Sequence, residues 1–152
     1  MSDRRSLNFN EQLYFVNSVF NHRDAIQVLV KFVSSSHQSG VSALKEGIAL
    51  VSNAHKIHSR RISGSTLYLS KNSEIHIKVH NQDTEPALRD PLFNQPVKDS
   101  GTLIEHHIIV TKTNLFLLVK SHHVLMDGAA YVQYLKDIFK AIRGIPLTGD
   151  ER

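Results

Sequence analysis

The residues best suited to chemistry lie in one stretch, Ser121-His122-His123-Val124-Leu125-Met126-Asp127-Gly128. An imidazole with an ordinary pKa near ~6.5 can take a proton from a hydroxyl or an amine at neutral pH, provided its second nitrogen is held by a hydrogen bond that fixes the tautomer. A strand running through both histidines would send their side chains to opposite faces, one into a cleft and one into packing, so a metal shared between them is not expected. Asp127 falls at a predicted helix start, where it can cap the helix or pair with an arginine. Gly128 permits a tight backbone approach that a side chain would block.

Other clusters carry less. His106-His107 lies in mid-strand with no Asp-Gly after it and reads as sheet packing and solvent exposure. His55 and His58 share a helix at i,i+3, a spacing that could hold a metal, but no third ligand accompanies them and a solvated helix end is expected. Tyr131 and Tyr134 fit helix packing. With no cysteine in the chain, disulfides, thiolate zinc sites and cysteine nucleophiles are excluded. The formal charge is +4, yet the densest basic clusters are only Arg4-Arg5 and Arg60-Arg61, so nucleic acid is not an expected partner. A mild positive field suits an anionic substrate such as a coenzyme A ester, or an acidic carrier protein.

The elements that must position the motif follow from periodicity. Leu13, Val16 and Phe20 give a short helix over Asn10 to Phe20; Ile26, Val28, Val30 and Phe32 alternate with polar neighbours and give a strand over Ala25 to Val33. Leu44, Ile48, Val51, Ala54 and Ile57 recur every three or four positions, which predicts the longest amphipathic helix, Val41 to His58, entered through a Ser39-Gly40 loop. Thr66 to Leu69 and Glu74 to His80 read as a hairpin about Lys71-Asn72-Ser73. Residues 81 to 99, with Pro86, Pro91 and Pro96, read as a long ordered loop. Leu103 to Thr111 and Leu115 to Lys120 are two strands around Lys112-Thr113-Asn114, and the second is so apolar that both its faces should be covered. A final helix, Ala129 to Ile142, is capped by Asp127 and stopped by Gly144 and Pro146. At 152 residues the expectation is a single α/β domain with a mixed sheet flanked by helices. No apolar run approaches the ~20 residues that span a bilayer, and the polar start Met-Ser-Asp-Arg-Arg-Ser suggests a soluble cytoplasmic protein.

The His-His-x-x-x-Asp-Gly pattern of His122 to Gly128 resembles the motif of the chloramphenicol acetyltransferase-like superfamily, which includes peptide-synthetase condensation domains and alcohol acyltransferases. The order of elements resembles that superfamily's N-terminal lobe across 1–152: the Leu7 to Phe15 segment, a strand, the helix ending in His55-Lys56-Ile57-His58-Ser59-Arg60-Arg61-Ile62, the Pro91-Leu92-Phe93 loop and the strand before the motif. The C-terminal lobe of such enzymes has no counterpart in this sequence. The resemblance implies that His123 is the general base that activates an acceptor alcohol or amine against an acyl-coenzyme A or phosphopantetheinyl thioester, with no bound cofactor. It implies that His122, Asp127 and Gly128 organise the motif, with Arg60 or Arg61 as the ion-pair partner of Asp127; Ser59 stands where family members often carry that arginine. The tunnel would be completed by a second lobe, by self-association or by another chain. The competing reading is a non-catalytic module that binds a carrier protein or partner and keeps the motif only as architecture.

Overall fold

The structure, a computed structural model, describes residues 5–6, 25–32, 36–63, 66–71, 73–95, 97 and 102–147. The helix expected over Asn10 to Phe20 lies outside the described residues. The strands are β1 (Arg5–Ser6), β2 (Ala25–Phe32), β3 (Arg60–Ser63), β4 (Thr66–Leu69), β5 (Ile77–Asn81), β6 (Ile104–Val110) and β7 (Leu115–His122), and the helices are α1 (His37–His55), the single turn α2 (Pro91–Asn94) and α3 (Gly128–Ile142). A mixed four-stranded sheet runs β2-β7-β6-β5, antiparallel except for the parallel β5–β6 pair, and β1-β4-β3 form a separate small sheet.

The centre is β7, every residue of which is buried. Its registers, Leu117 opposite Ile108 and Val30, and Val119 opposite His106 and Val28, put Leu115, Leu117, Val119, Ile104 and Ile108 on one face. There they join Leu44, Ile48 and Val51 of α1 and Tyr131, Leu135 and Ile138 of α3 in the main core. The two helices approach closely at Gly47, where a Cβ would stand 3.0 Å from Ile142 Cγ1. The opposite face carries Lys120, Leu118, Glu105 and His107, and residues 82–95 cross over it as a strap. Lys120 Nζ donates to the carbonyls of Leu92 (2.9 Å) and Gln95, and Gln27 Nε2 donates to the Phe93 carbonyl at 3.0 Å. The predicted double-sided burial of this strand is therefore observed, with helices on one side and the proline-bearing loop on the other.

Three expectations are corrected. The long helix begins at His37, because Ser36 caps it by accepting from the Ser39 N–H, so Ser39 and Gly40 lie in its first turn and are not an entry loop. It ends at His55 where Lys56 turns left-handed (φ 53°), and a 3-10 turn, Ile57–Ser59, whose first two residues the apolar periodicity had counted as helix, then delivers β3. Thr66 to Leu69 and the following strand form no hairpin: β4 pairs with β3, from Arg60 opposite Leu69 to Ser63 opposite Thr66, and β5 pairs with β6 in the other sheet. Alternation marks a strand and the buried side of it, but it does not name the neighbour. Arg60–Ser63, close in sequence, supplies the shorter connection.

Leu117 is fully buried at the centre of this packing. Leu117→Ala should cost about 2–5 kcal/mol, measured by urea unfolding, because the rigid sheet and helices cannot collapse into the vacated volume.

Candidate active site

The motif occupies the passage from β7 into α3. His122 is the last residue of the strand, and its carbonyl accepts from the Leu125 N–H at 2.9 Å to close a turn over His123-Val124. The Val124 N–H donates to His122 Nδ1 at 3.1 Å, which requires the lone pair at Nδ1 and places the ring proton on Nε2. Val124 is buried against Leu67 and Leu103, and Met126 enters the main core, so both ends of the turn are anchored. His122 is buried at 8% exposure, whereas His123 is part-buried. Strand geometry ends at His122, so what separates the two rings is the turn and not the alternation of a continuing strand.

Asp127 caps α3: its Oδ1 accepts from the Ala130 N–H at 2.8 Å and its carbonyl from the Tyr131 N–H at 2.9 Å. The expected partners do not reach it. Arg61 donates from Nη1 to the carbonyls of His58 (2.7 Å) and Arg60 (2.8 Å), and no ion pair joins Arg60 or Arg61 to Asp127 among the described residues. Nothing lies within 4 Å of a Cβ placed at Gly128, so the close approach expected there is not made within the described chain. The cap explains why an acid stands at this position without an arginine, since a carboxylate at a helix start is favoured by the unpaired amides and the helix dipole.

Beneath the motif turn a cavity of about 380 Å³ opens between the end of α1, β3 and the first turns of α3. Ile57, Leu67, Leu125 and Met126 provide apolar wall, and Arg60 borders it. Its polar side holds a buried acid, Asp137, whose Oδ2 accepts from His55 Nε2 at 3.0 Å and whose Oδ1 accepts from Gln133 Nε2 at 3.0 Å. His55 is thus hydrogen-bonded to a buried acid on an inward face and is not part of a solvated helix end. His58 likewise turns inward, Nδ1 donating to the Ser52 carbonyl at 3.1 Å.

His106 and His107 are both buried, at 1% and 3% exposure, which overturns the expected solvent exposure. The reason is that β6 is an interior strand covered on both faces. His106 Nδ1 donates to the His76 carbonyl at 2.9 Å and its Nε2 accepts from Tyr134 Oη at 2.7 Å; Tyr134 Oη in turn accepts from Ser52 Oγ at 3.0 Å. On the other face Glu105 accepts from His107 Nε2 at 3.0 Å, and His107 Nδ1 meets His80 Nε2 at 2.9 Å. Burial, then the neighbouring His107 and Lys78, lower the pKa of His80. Sequence reasoning missed both chains. The signal was the polar residues that interrupt otherwise apolar strands, since each such residue in a doubly covered sheet must find a partner.

Burial pushes the His106 pKa down to about 4, against the smaller upward pull of its bond to the His76 carbonyl. The unfolded chain therefore binds more protons between pH ~6.5 and ~4, and this residue's contribution to stability is present above that window and lost as pH falls through it. The loss should be on the order of 3 kcal/mol across the window in unfolding curves, and His106→Gln should flatten that part of the profile. For Asp127, replacement by alanine should cost about 1 kcal/mol of stability and replacement by asparagine far less, because the cap needs an acceptor and not a charge.

No family model matches the chain. The hybrid PKS-NRPS synthetase pydA of Acremonium sp is 26% identical over 125 residues, 82% of this chain and 3% of that protein. The hybrid PKS-NRPS synthetase xenE of Xenoacremonium sinensis is 45% identical over 42 residues, 28% of this chain and 1% of that protein. The chain thus spans a few percent of the length of the curated relatives it matches. Among solved structures, F. graminearum TRI101 complexed with coenzyme A and T-2 mycotoxin superposes with a TM-score of 0.69 at 18% identity, covering 95% of this chain and 40% of that one. The starter condensation domain of the rhizomide synthetase RzmA superposes with a TM-score of 0.70 at 12% identity, covering 99% of this chain and 42% of that one. No described helix is long and apolar enough to cross a membrane.

Proposed function

With the chain folded as one lobe of the chloramphenicol acetyltransferase-like superfamily, we propose that it is the base-bearing N-terminal lobe of an acyltransferase that moves an acyl group from a thioester to a hydroxyl or an amine. The observation that carries this reading is the position of His123, in a turn held on either side by buried residues and directly after the most buried strand. His123 takes the proton from the acceptor O–H or N–H as the heteroatom attacks the thioester carbonyl carbon. The new C–O or C–N bond forms and a tetrahedral oxyanion results. Its collapse breaks the C–S bond, and the imidazolium returns the proton to the departing thiolate, so no acyl-enzyme is required. His122, locked by the Val124 N–H, and Asp127, locked in the helix cap, act by holding the turn and not by touching the reacting atoms.

The coenzyme A present in the TRI101 complexes supports a coenzyme A thioester as donor, and the similarity to hybrid PKS-NRPS synthetases supports a phosphopantetheinyl carrier. Both present the same reacting group. Because His123 is only part-buried on this lobe, transfer in preference to hydrolysis calls for a second surface that excludes water, supplied by a C-terminal lobe, a second copy or another chain.

The test is thiol release from acyl-coenzyme A and from an acylated carrier, followed for the protein alone and with its second lobe, alongside the mass of each species in solution. His123→Ala should lower turnover by roughly 10²–10⁴-fold while leaving the fold intact. Turnover that survives this change rules out His123 as the base. Carrier binding without thiol release in any species would identify a non-catalytic module instead.

A further inference from the structure

The polar groups around the cavity under the motif turn can be accounted for one by one. Asp137 is fully engaged by His55 Nε2 and Gln133 Nε2, with Lys140 Nζ at 3.9 Å from Oδ1. Tyr134 Oη is engaged by His106 and Ser52. Arg60 differs: it borders the same cavity, and its guanidinium makes no hydrogen bond or ion pair among the described residues. Its neighbour Arg61 is engaged by two carbonyls, and Asp127 by the cap of α3, so neither offers Arg60 a partner. Arg60 is half-buried and lines the cavity together with Ile57, Leu67, Leu125 and Met126, which brings a planar set of donors to an apolar-walled site.

We infer that this cavity binds a molecule bearing one carboxylate and a short apolar tail, the carboxylate taken by Arg60 and the tail by the wall that the motif's own Leu125 and Met126 supply. The charge argues for a monoanion. Among the described residues that line the cavity, Arg60 is the cation with no hydrogen bond or ion pair, and the Asp137 carboxylate in the same lining disfavours a phosphate dianion, which calls for more than one cationic partner. The volume of about 380 Å³ falls at the small end of ligand pockets, which suits a compact molecule and not a whole coenzyme. As a statement about substrate class it rests on the acyl-transfer reading: the acceptor or the acyl group would carry a free carboxylate remote from the reacting atom. As a statement about binding it does not.

The probe is octanoate, compared with octanamide as its neutral isostere, titrated into the protein by calorimetry with no thioester present, so that the result is independent of turnover. Octanoate should bind roughly tenfold or more tightly than octanamide, the scale of a charge-assisted contact that the amide cannot make. This comparison uses the unmodified protein and holds even if a variant fails to fold. Arg60→Gln should remove the preference for octanoate, and Ala130→Phe, which projects a ring into the cavity from the first turn of α3, should abolish binding of both probes. Equal affinity for the two probes, no binding of either, a preference that survives Arg60→Gln, or binding unchanged in Ala130→Phe would each overturn the inference.

Discussion

A strand buried on both faces governs this molecule. All eight residues of Leu115–His122 are buried, so the sheet can exist only if two separate layers cover it. On one side the cover is apolar and helical, α1 and α3 meeting over Leu117 and Val119 with their closest approach at Gly47. On the other it is a strap, residues 82–95, irregular except for the single turn α2, which leaves carbonyls that its own backbone does not satisfy. Lys120 answers that need, since its buried ammonium takes strap carbonyls as acceptors while they gain a donor. One side chain thereby resolves two desolvation problems. The candidate motif lies just beyond this doubly clamped segment, so its position is inherited from the most thoroughly packed part of the fold.

The same constraint explains why so many histidines lie inside. Neutral imidazole, like a hydroxyl or an amide, can both donate and accept, and each buried ring here uses both nitrogens or fixes one by a backbone group. His106 donates to a carbonyl and accepts from a phenol; His107 lies between a carboxylate and His80; His122 accepts from an amide. The His106 ring, its pKa lowered by burial, joins β6 to α3 through Tyr134 at modest electrostatic cost, whereas an unpaired charge in that position would not be tolerated. Low pH reverses that benefit for His106, because a second ring proton at Nε2 would confront the hydroxyl that now donates to it.

Much of the architecture could be read from the chain. The two central strands, the final helix with its Asp127 cap and Gly144 stop, and the mixed sheet flanked by helices all follow from periodicity and end signals, because α3 and β7 have strong local patterns. Pairing was less legible. Thr66–Leu69 looks like half of a hairpin with the next strand, but its partners lie in another sheet, a choice made by tertiary packing that alternation does not encode. At the site, the motif residues were visible from their types, while the fate of Arg60 and Arg61 was not: whether an arginine meets Asp127 or a carbonyl depends on the 3-10 turn after Lys56, a left-handed residue no pattern announces. The His55–Asp137 pair was hidden for a simpler reason, being 82 residues apart in sequence.

In the acyl-transfer reading, the residues of the motif divide two demands that conflict in a single side chain. A base must be accessible enough to meet its substrate, yet held within a narrow range of orientations, since loose positioning forfeits most of the rate gain. Accessibility falls to His123, which the turn leaves part-buried, and rigidity falls to its neighbours. His122 fixes the turn through Nδ1, Val124 and Met126 anchor it in two separate apolar clusters, and Asp127 ties its exit to the start of α3. This division makes a distinct expectation for how damage is felt: loss of a neighbour loosens a base that is still present, whereas loss of His123 removes it from a turn that is still formed. It also explains why the cavity wall includes Leu125 and Met126. Met126 serves both roles, anchoring the turn in the main core and lining the cavity, so the turn that carries His123 and the cavity wall are parts of one packed unit.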